Sequence, residues 1–109
     1  HWCGYCQKEV PIVQNLIDTV GVPDGVEVIA IATSIDRGRE NYPHQRWLAD
    51  EGWSELQLYD LEREIGTYYG LNAFPYWVFL DKDLNVVARQ TGNIPENIVL
   101  AQLVQLANQ

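Results

Sequence analysis

The residues best suited to chemistry stand at the very start of the sequence. Its only two cysteines are three positions apart, as Cys3-Gly4-Tyr5-Cys6, directly after His1 and Trp2. Three chemistries suit such a pair. A static disulfide is one, although two cysteines make no disulfide framework for a small domain. A metal site is another, but a lone CxxC supplies only two of the four ligands that structural zinc takes. His1 and His44 could complete a Cys2His2 set, yet His44 follows Pro43 in a polar stretch and lacks a second histidine at the usual spacing. The third chemistry is reversible thiol–disulfide exchange.

The exchange reading has a physical basis in the residues after the pair. Val10, Val13, Leu16, Ile17 and Val20 recur at helical spacings of three and four, and Gly21 and Pro23 end the run. Cys3 then stands at a helix N-terminus, where unpaired N–H groups and the macrodipole stabilise an anion. That is the thiolate form, the nucleophile in exchange. Cys6, one turn further in, is the more shielded sulfur. Cys3 therefore attacks and Cys6 resolves the mixed disulfide. Trp2 is apolar bulk beside the thiol, suited equally to covering it and to core packing. Lys8 and Glu9 read as solvated helix residues.

Further along, Pro11 removes a backbone donor and is expected to kink the first helix. Val26 to Ile35 is rich in β-branched residues and reads as a buried strand. Arg37-Gly38-Arg39 reads as a turn with two solvated charges. A polar helix is predicted from Pro43, at its first position, to Glu51, with Trp47 and Leu48 facing inward. A short strand comes next over Leu56 to Tyr59. Leu61 to Tyr69 reads as a helix stopped by Gly70, with Tyr68 and Tyr69 as packing residues. Pro75 to Leu80 and Val86 to Gln90 form an antiparallel hairpin about the turn at Asp81 to Asn85. Pro95 opens a last helix, with Val99, Leu100, Leu103, Val104 and Ala107 as its apolar stripe.

Composition narrows the partners. The chain has 109 residues, 47% hydrophobic and 20% charged, with room for one small globular domain. Acidic residues outnumber basic ones 15 to 7, for a net charge of −8. The excess is even, with 8 acids against 4 bases up to Ser54 and 7 against 3 beyond it. Nucleic-acid binding would require a basic stripe, and none is present. The longest apolar run, Val28 to Ala32, is far too short to span a bilayer.

With the CxxC at a helix start, Pro11 five residues after Cys6, and Phe74-Pro75 opening a strand, the sequence resembles the thioredoxin-like superfamily over nearly its whole length. Trp2-Cys3-Gly4-Tyr5-Cys6 matches the WCxxC motif, Phe74-Pro75 the cis-proline loop, and Gly92 a glycine after the last strand. The stretch between Ile35 and Pro75, with the segment FPYWVFLDKDLNVVARQTG, is most similar to the TlpA/ResA-type branch of thiol-disulfide oxidoreductases.

The resemblance implies an α/β fold, a three-layer α/β/α arrangement with a mixed sheet, in a single domain over residues 1–109. It implies catalysis by Cys3 and Cys6, and substrate contact by Trp2, Gly4, Tyr5, Phe74 and Pro75. The backbone of Phe74 would pair with an extended substrate, a sequence-tolerant mode of recognition. Partners would be cysteine-containing proteins and a redox partner protein. The dithiol itself is the redox group, so no cofactor and no metal is expected. Location would be extracytoplasmic, in periplasm or cell envelope, with a possible membrane tether upstream.

The sequence departs from the family pattern in one respect. A central parallel strand normally runs directly into WCxxC, and here His1 is two residues before Cys3. A domain truncated before the CxxC helix is therefore expected, since the chain also has no methionine. Otherwise the strand from Val26 would close against that from Pro75, or a second chain would supply the missing one. The acid that thioredoxins use to take the second cysteine's proton lies in that strand, so the sequence names no general base. Gly4-Tyr5 also differs from thioredoxin's Gly-Pro, which leaves reductant, oxidant and isomerase open. Two other readings stand beside the enzyme: a non-catalytic thioredoxin-like binding module, and a metal site at His1, Cys3 and Cys6.

Overall fold

The CxxC segment folds locally as its spacing requires. In the computed structural model, which describes residues 1–108, α1 spans Gly4–Val20 with Cys3 as its N-cap. Val13 and Leu16 are buried and Val20 is exposed, so the apolar stripe packs through its middle. The helix is continuous through Pro11, which lies on the exposed side. The lost donor at that position falls on the solvent face, where water can satisfy the freed carbonyl.

Seven further elements follow among the described residues: β1 (Ile29–Thr33), α2 (His44–Asp50), β2 (Leu56–Asp60), α3 (Glu64–Tyr68), β3 (Tyr76–Leu80), β4 (Val86–Thr91) and α4 (Glu96–Ala107). The predicted order holds, with differences at the ends. β1 is half the expected length because its partner pairs over five residues only, from Ile29 opposite Leu56 to Thr33 opposite Asp60. Val26 and Val28 pack against the core instead. Pro43 is the N-cap of α2 and not its first residue, while Leu48 is buried as expected.

α3 begins three residues later than predicted. Arg63 adopts a left-handed φ of 60°, which a helix cannot continue through. The Asp60 carboxylate accepts the N–H groups of Ile65 and Gly66 at 3.0 and 2.8 Å and so takes up donors of the first turn. Tyr68 was expected to pack but is 80% exposed, because the five-residue helix turns it outward. Tyr69 is half-buried, and its carbonyl accepts the Tyr76 hydroxyl at 2.7 Å.

The strands form two pairs. β1 and β2 are parallel, β3 and β4 antiparallel, and the pairs are separate two-stranded sheets. β1 does not close against β3. Between them lies a cavity of about 310 Å³, bordered by Val28 to Thr33 on one side and Tyr76 to Val78 on the other. The main core lies on the hairpin side, where Leu16, Phe79, Ile94, Val99 and Leu103 bury one another. That cluster joins α1 and α4 to the hairpin and to the loop after β4.

Candidate active site

Cys3 and Cys6 are both half-buried free thiols. The N-cap geometry points the Cys3 sulfur back at the helix, where Sγ accepts the Cys6 N–H at 3.2 Å. The Cys3 carbonyl accepts the Gln7 N–H at 3.0 Å, which closes the first turn. A backbone donor and the positive end of a 17-residue helix thus converge on the Cys3 sulfur. Cys6 is placed differently. Burial pushes its thiol well above the ordinary value of 9.0, and the hydrogen bond to Cys3, the Cys3 charge and Glu9 push it further. Cys6 is therefore the sulfur that keeps its proton.

Trp2 is fixed on three sides. Its indole N–H donates to the Ser34 carbonyl at 2.8 Å, its ring meets Phe74 edge-on at 5.7 Å, and the Arg39 guanidinium lies 4.3 Å over its face. Arg39 stays exposed to solvent as expected, and also lies over the tryptophan while pairing with Asp36 at 3.6 Å. The Phe74–Pro75 peptide is cis. Trp2, Cys3, Cys6, Phe74 and Pro75 all line the cavity between the sheets. Gly4 and Tyr5 do not. Both are exposed at the outer face of the turn, and Lys8 lies over the Tyr5 ring at 5.6 Å.

The main correction concerns Glu9, which is buried at 4% exposure and not solvated. It stands one turn after Cys6 on the same helix face and lines the same cavity. Oε2 accepts the side-chain amide of Asn93, whereas Oε1 has no hydrogen-bond partner. A buried acid beside the second cysteine thus comes from the CxxC helix itself. The sequence carried a signal for it: Glu9, Val13 and Leu16 share the i, i+4, i+7 stripe that faces the interior.

His44 is also buried, and neither of its ring nitrogens has a hydrogen-bond partner. Its ring stands edge-on to Tyr59 at 4.6 Å and lies 6.4 Å from that of His1. Burial lowers its pKa from the ordinary 6.5. The fold brings the two histidines together, as a Cys2His2 set would need. Among the described residues, however, no group of three or more His, Cys, Asp or Glu side chains is placed to hold a metal ion.

Comparisons with known proteins give the family and the fold. The family model described as Redoxin matches residues 1–105. The chain belongs to the Redoxin family. Its fold is thioredoxin-like, and the resemblance to the TlpA/ResA type is borne out. This redoxin chain is 29% identical over 96 residues to the methylamine utilization protein MauD of Methylophilus methylotrophus, covering 88% of the chain and 41% of MauD. It therefore spans about two fifths of that relative's length. A solved chain assigned as thiol:disulfide interchange protein DsbE of Chlorobium tepidum superposes with a TM-score of 0.78 at 18% identity, over 97% of this chain and 73% of its own. The structure of MTB dsbF, in mixed oxidized and reduced forms, superposes with a TM-score of 0.76 at 20% identity, over 96% and 73%.

Proposed function

We propose that this chain carries out thiol–disulfide exchange with cysteine-containing protein substrates through the Cys3–Cys6 dithiol. One observation carries the reading: the Cys6 N–H points at the Cys3 sulfur while burial holds the Cys6 thiol protonated. Such a pair is asymmetric, as a nucleophile and a resolving thiol must be.

The Cys3 thiolate attacks one sulfur of a substrate disulfide. That S–S bond breaks, the first substrate thiolate leaves, and a mixed disulfide to Cys3 remains. Glu9 takes the proton of Cys6, whose sulfur then attacks Sγ of Cys3. The mixed disulfide breaks, the second substrate thiol leaves with a proton, and the Cys3–Cys6 disulfide forms. The substrate has gained two electrons, and a dithiol partner protein restores the reduced state. Run backwards, the same steps oxidise a substrate. Trp2, Phe74 and Pro75 would line the approach, with the Phe74 backbone pairing to an extended substrate, and Gly4 and Tyr5 would meet it from the open side. An extracytoplasmic setting for this activity follows the resemblance to the TlpA/ResA type.

Two variants test the reading. Cys3→Ser is expected to abolish disulfide reduction. Cys6→Ser is expected to accumulate mixed disulfides between Cys3 and substrate, visible as thiol-sensitive adducts by mass spectrometry. Full activity in Cys3→Ser would overturn the assignment of roles. The reduction potential fixes direction: a value near about −270 mV makes the chain a reductant, one near about −120 mV an oxidant.

A further inference from the structure

The loop between β4 and α4 reaches three parts of the candidate site: Pro75, the CxxC turn and Glu9. Gly92 adopts a φ of 91°, open to glycine and strained for other residues, and its N–H donates to the Pro75 carbonyl at 2.7 Å. Asn93 is next in the chain. Its side-chain amide donates to the Tyr5 carbonyl, inside the CxxC turn, at 3.1 Å. The same nitrogen donates to Oε2 of Glu9. An asparagine amide has two protons, and both are used here, each on a different part of the site. Ile94 is buried at 3% exposure in the core, and Pro95 caps α4. The loop is thus anchored on both sides of Asn93.

We propose that Asn93 is a positioning residue for the resolving step: it holds the Glu9 carboxylate by Oε2, ties it to the CxxC turn through Tyr5, and leaves Oε1 free to take the Cys6 proton. The inference rests on the dithiol reading above and on Glu9 as proton acceptor. The physical reason is orientation. A buried carboxylate with no partners is free to rotate away from the sulfur or to take up a proton itself. One fixed donor settles both its direction and its charge. Asn93 makes no contact with either sulfur, so it acts through Glu9 alone.

The test times resolution directly in the full chain. A mixed disulfide between Cys3 and a chromophoric thiol is formed, and release of that thiol by Cys6 is timed against pH. His1, His44 and Asp60 also line this cavity, so each profile is repeated on a Glu9→Gln background to isolate the part that depends on Glu9. Asn93→Ala removes a hydrogen bond to a charged group, an effect of about tenfold or more. Resolution at neutral pH is expected to slow about tenfold, with the acidic limb displaced upward by about one pH unit. Asn93→Asp keeps the shape, loses the donor and adds a like charge, so its displacement is expected to be larger. On the Glu9→Gln background both effects are expected to vanish.

Unchanged profiles in both Asn93 variants would overturn the inference, and so would a full effect that persists without Glu9. If instead the unaltered chain fails to release the thiol at all, the dithiol reading itself falls, and this inference with it.

Discussion

Replacing Glu9 by Gln separates function from stability in a way that few other substitutions allow. Glu9 is 4% exposed, and one carboxylate oxygen has no partner. Leaving a buried polar group unsatisfied costs about 1–3 kcal/mol, more when it is charged. The amide is neutral and retains an oxygen for Asn93, and its NH2 takes the unpartnered place of Oε1, so what is relieved is the charge. Glu9→Gln is therefore expected to raise stability by about 1 kcal/mol, or about 4 °C in Tm. Activity is expected to move the other way. A positioned general base contributes about 10² to 10⁴ in rate. Against this, the Glu9 charge is one of the causes that push Cys6 up, so removing it returns part of the loss. One pH unit of easier ionisation is worth about tenfold. The net expectation is resolution at least about tenfold slower at pH 7, with the deficit shrinking at alkaline pH as hydroxide takes over. Single-turnover thiol release and urea denaturation measure the two quantities on one preparation. A variant that resolves as fast as the unaltered chain at pH 7 would refute the role of Glu9. One that is both slower and less stable would show that the carboxylate is structural.

Three further outcomes are expected. Alkylation of the reduced chain against pH should label one thiol readily and leave Cys6 unlabelled through pH 9, because burial and Cys3 hold its proton; two thiols ionising together would contradict the asymmetry. Asp60 is raised by burial, but the bonds from Gly66, Ile65, Thr33 and Glu64 outweigh this and hold it below its ordinary 3.8. Its contribution is then fully present above the unfolded value and is lost as pH falls through the folded one. Asp60→Asn should destabilise by about 1–3 kcal/mol at pH 7, with the gap to the parent chain closing below about pH 4 in urea titrations; a gap independent of pH would exclude the charge as its cause. At Gly66 an added Cβ would lie 2.9 Å from Leu71 Cδ2 and 3.4 Å from Asp60 Oδ2. Gly66→Ala should therefore cost about 1–3 kcal/mol by overpacking, and a gain in Tm would show that α3 shifts freely.

Much of the fold is legible in the chain because its signals are local. The helix after the cysteines comes from apolar spacing, the hairpin from an aromatic-rich run, a second short run and a five-residue turn between them, and the last helix from Pro95 and its stripe. Where boundaries moved, a partner moved them. β1 ends where β2 stops pairing, and α3 starts late because Arg63 turns left-handed beneath an Asp60 carboxylate that already takes the first-turn donors.

The candidate site divides along the same line. By itself the sequence determined that two thiols share one helical turn with Cys3 at the N-terminus, since backbone geometry over four residues fixes that relation wherever the helix packs. It also marked Trp2 and the Phe74-Pro75 dipeptide through their likeness to a known family. Only the tertiary structure decided which groups surround those thiols. Glu9 reads as a surface acid until the core closes over its helix face. Asn93 stands 84 residues from Glu9 in the chain and carries no motif. The two meet once Ile94, next to Asn93, is buried with Leu16 of α1 in the core. Burial and long-range hydrogen bonding belong to the packed chain as a whole, so the environment that makes one cysteine differ from the other arises only on folding.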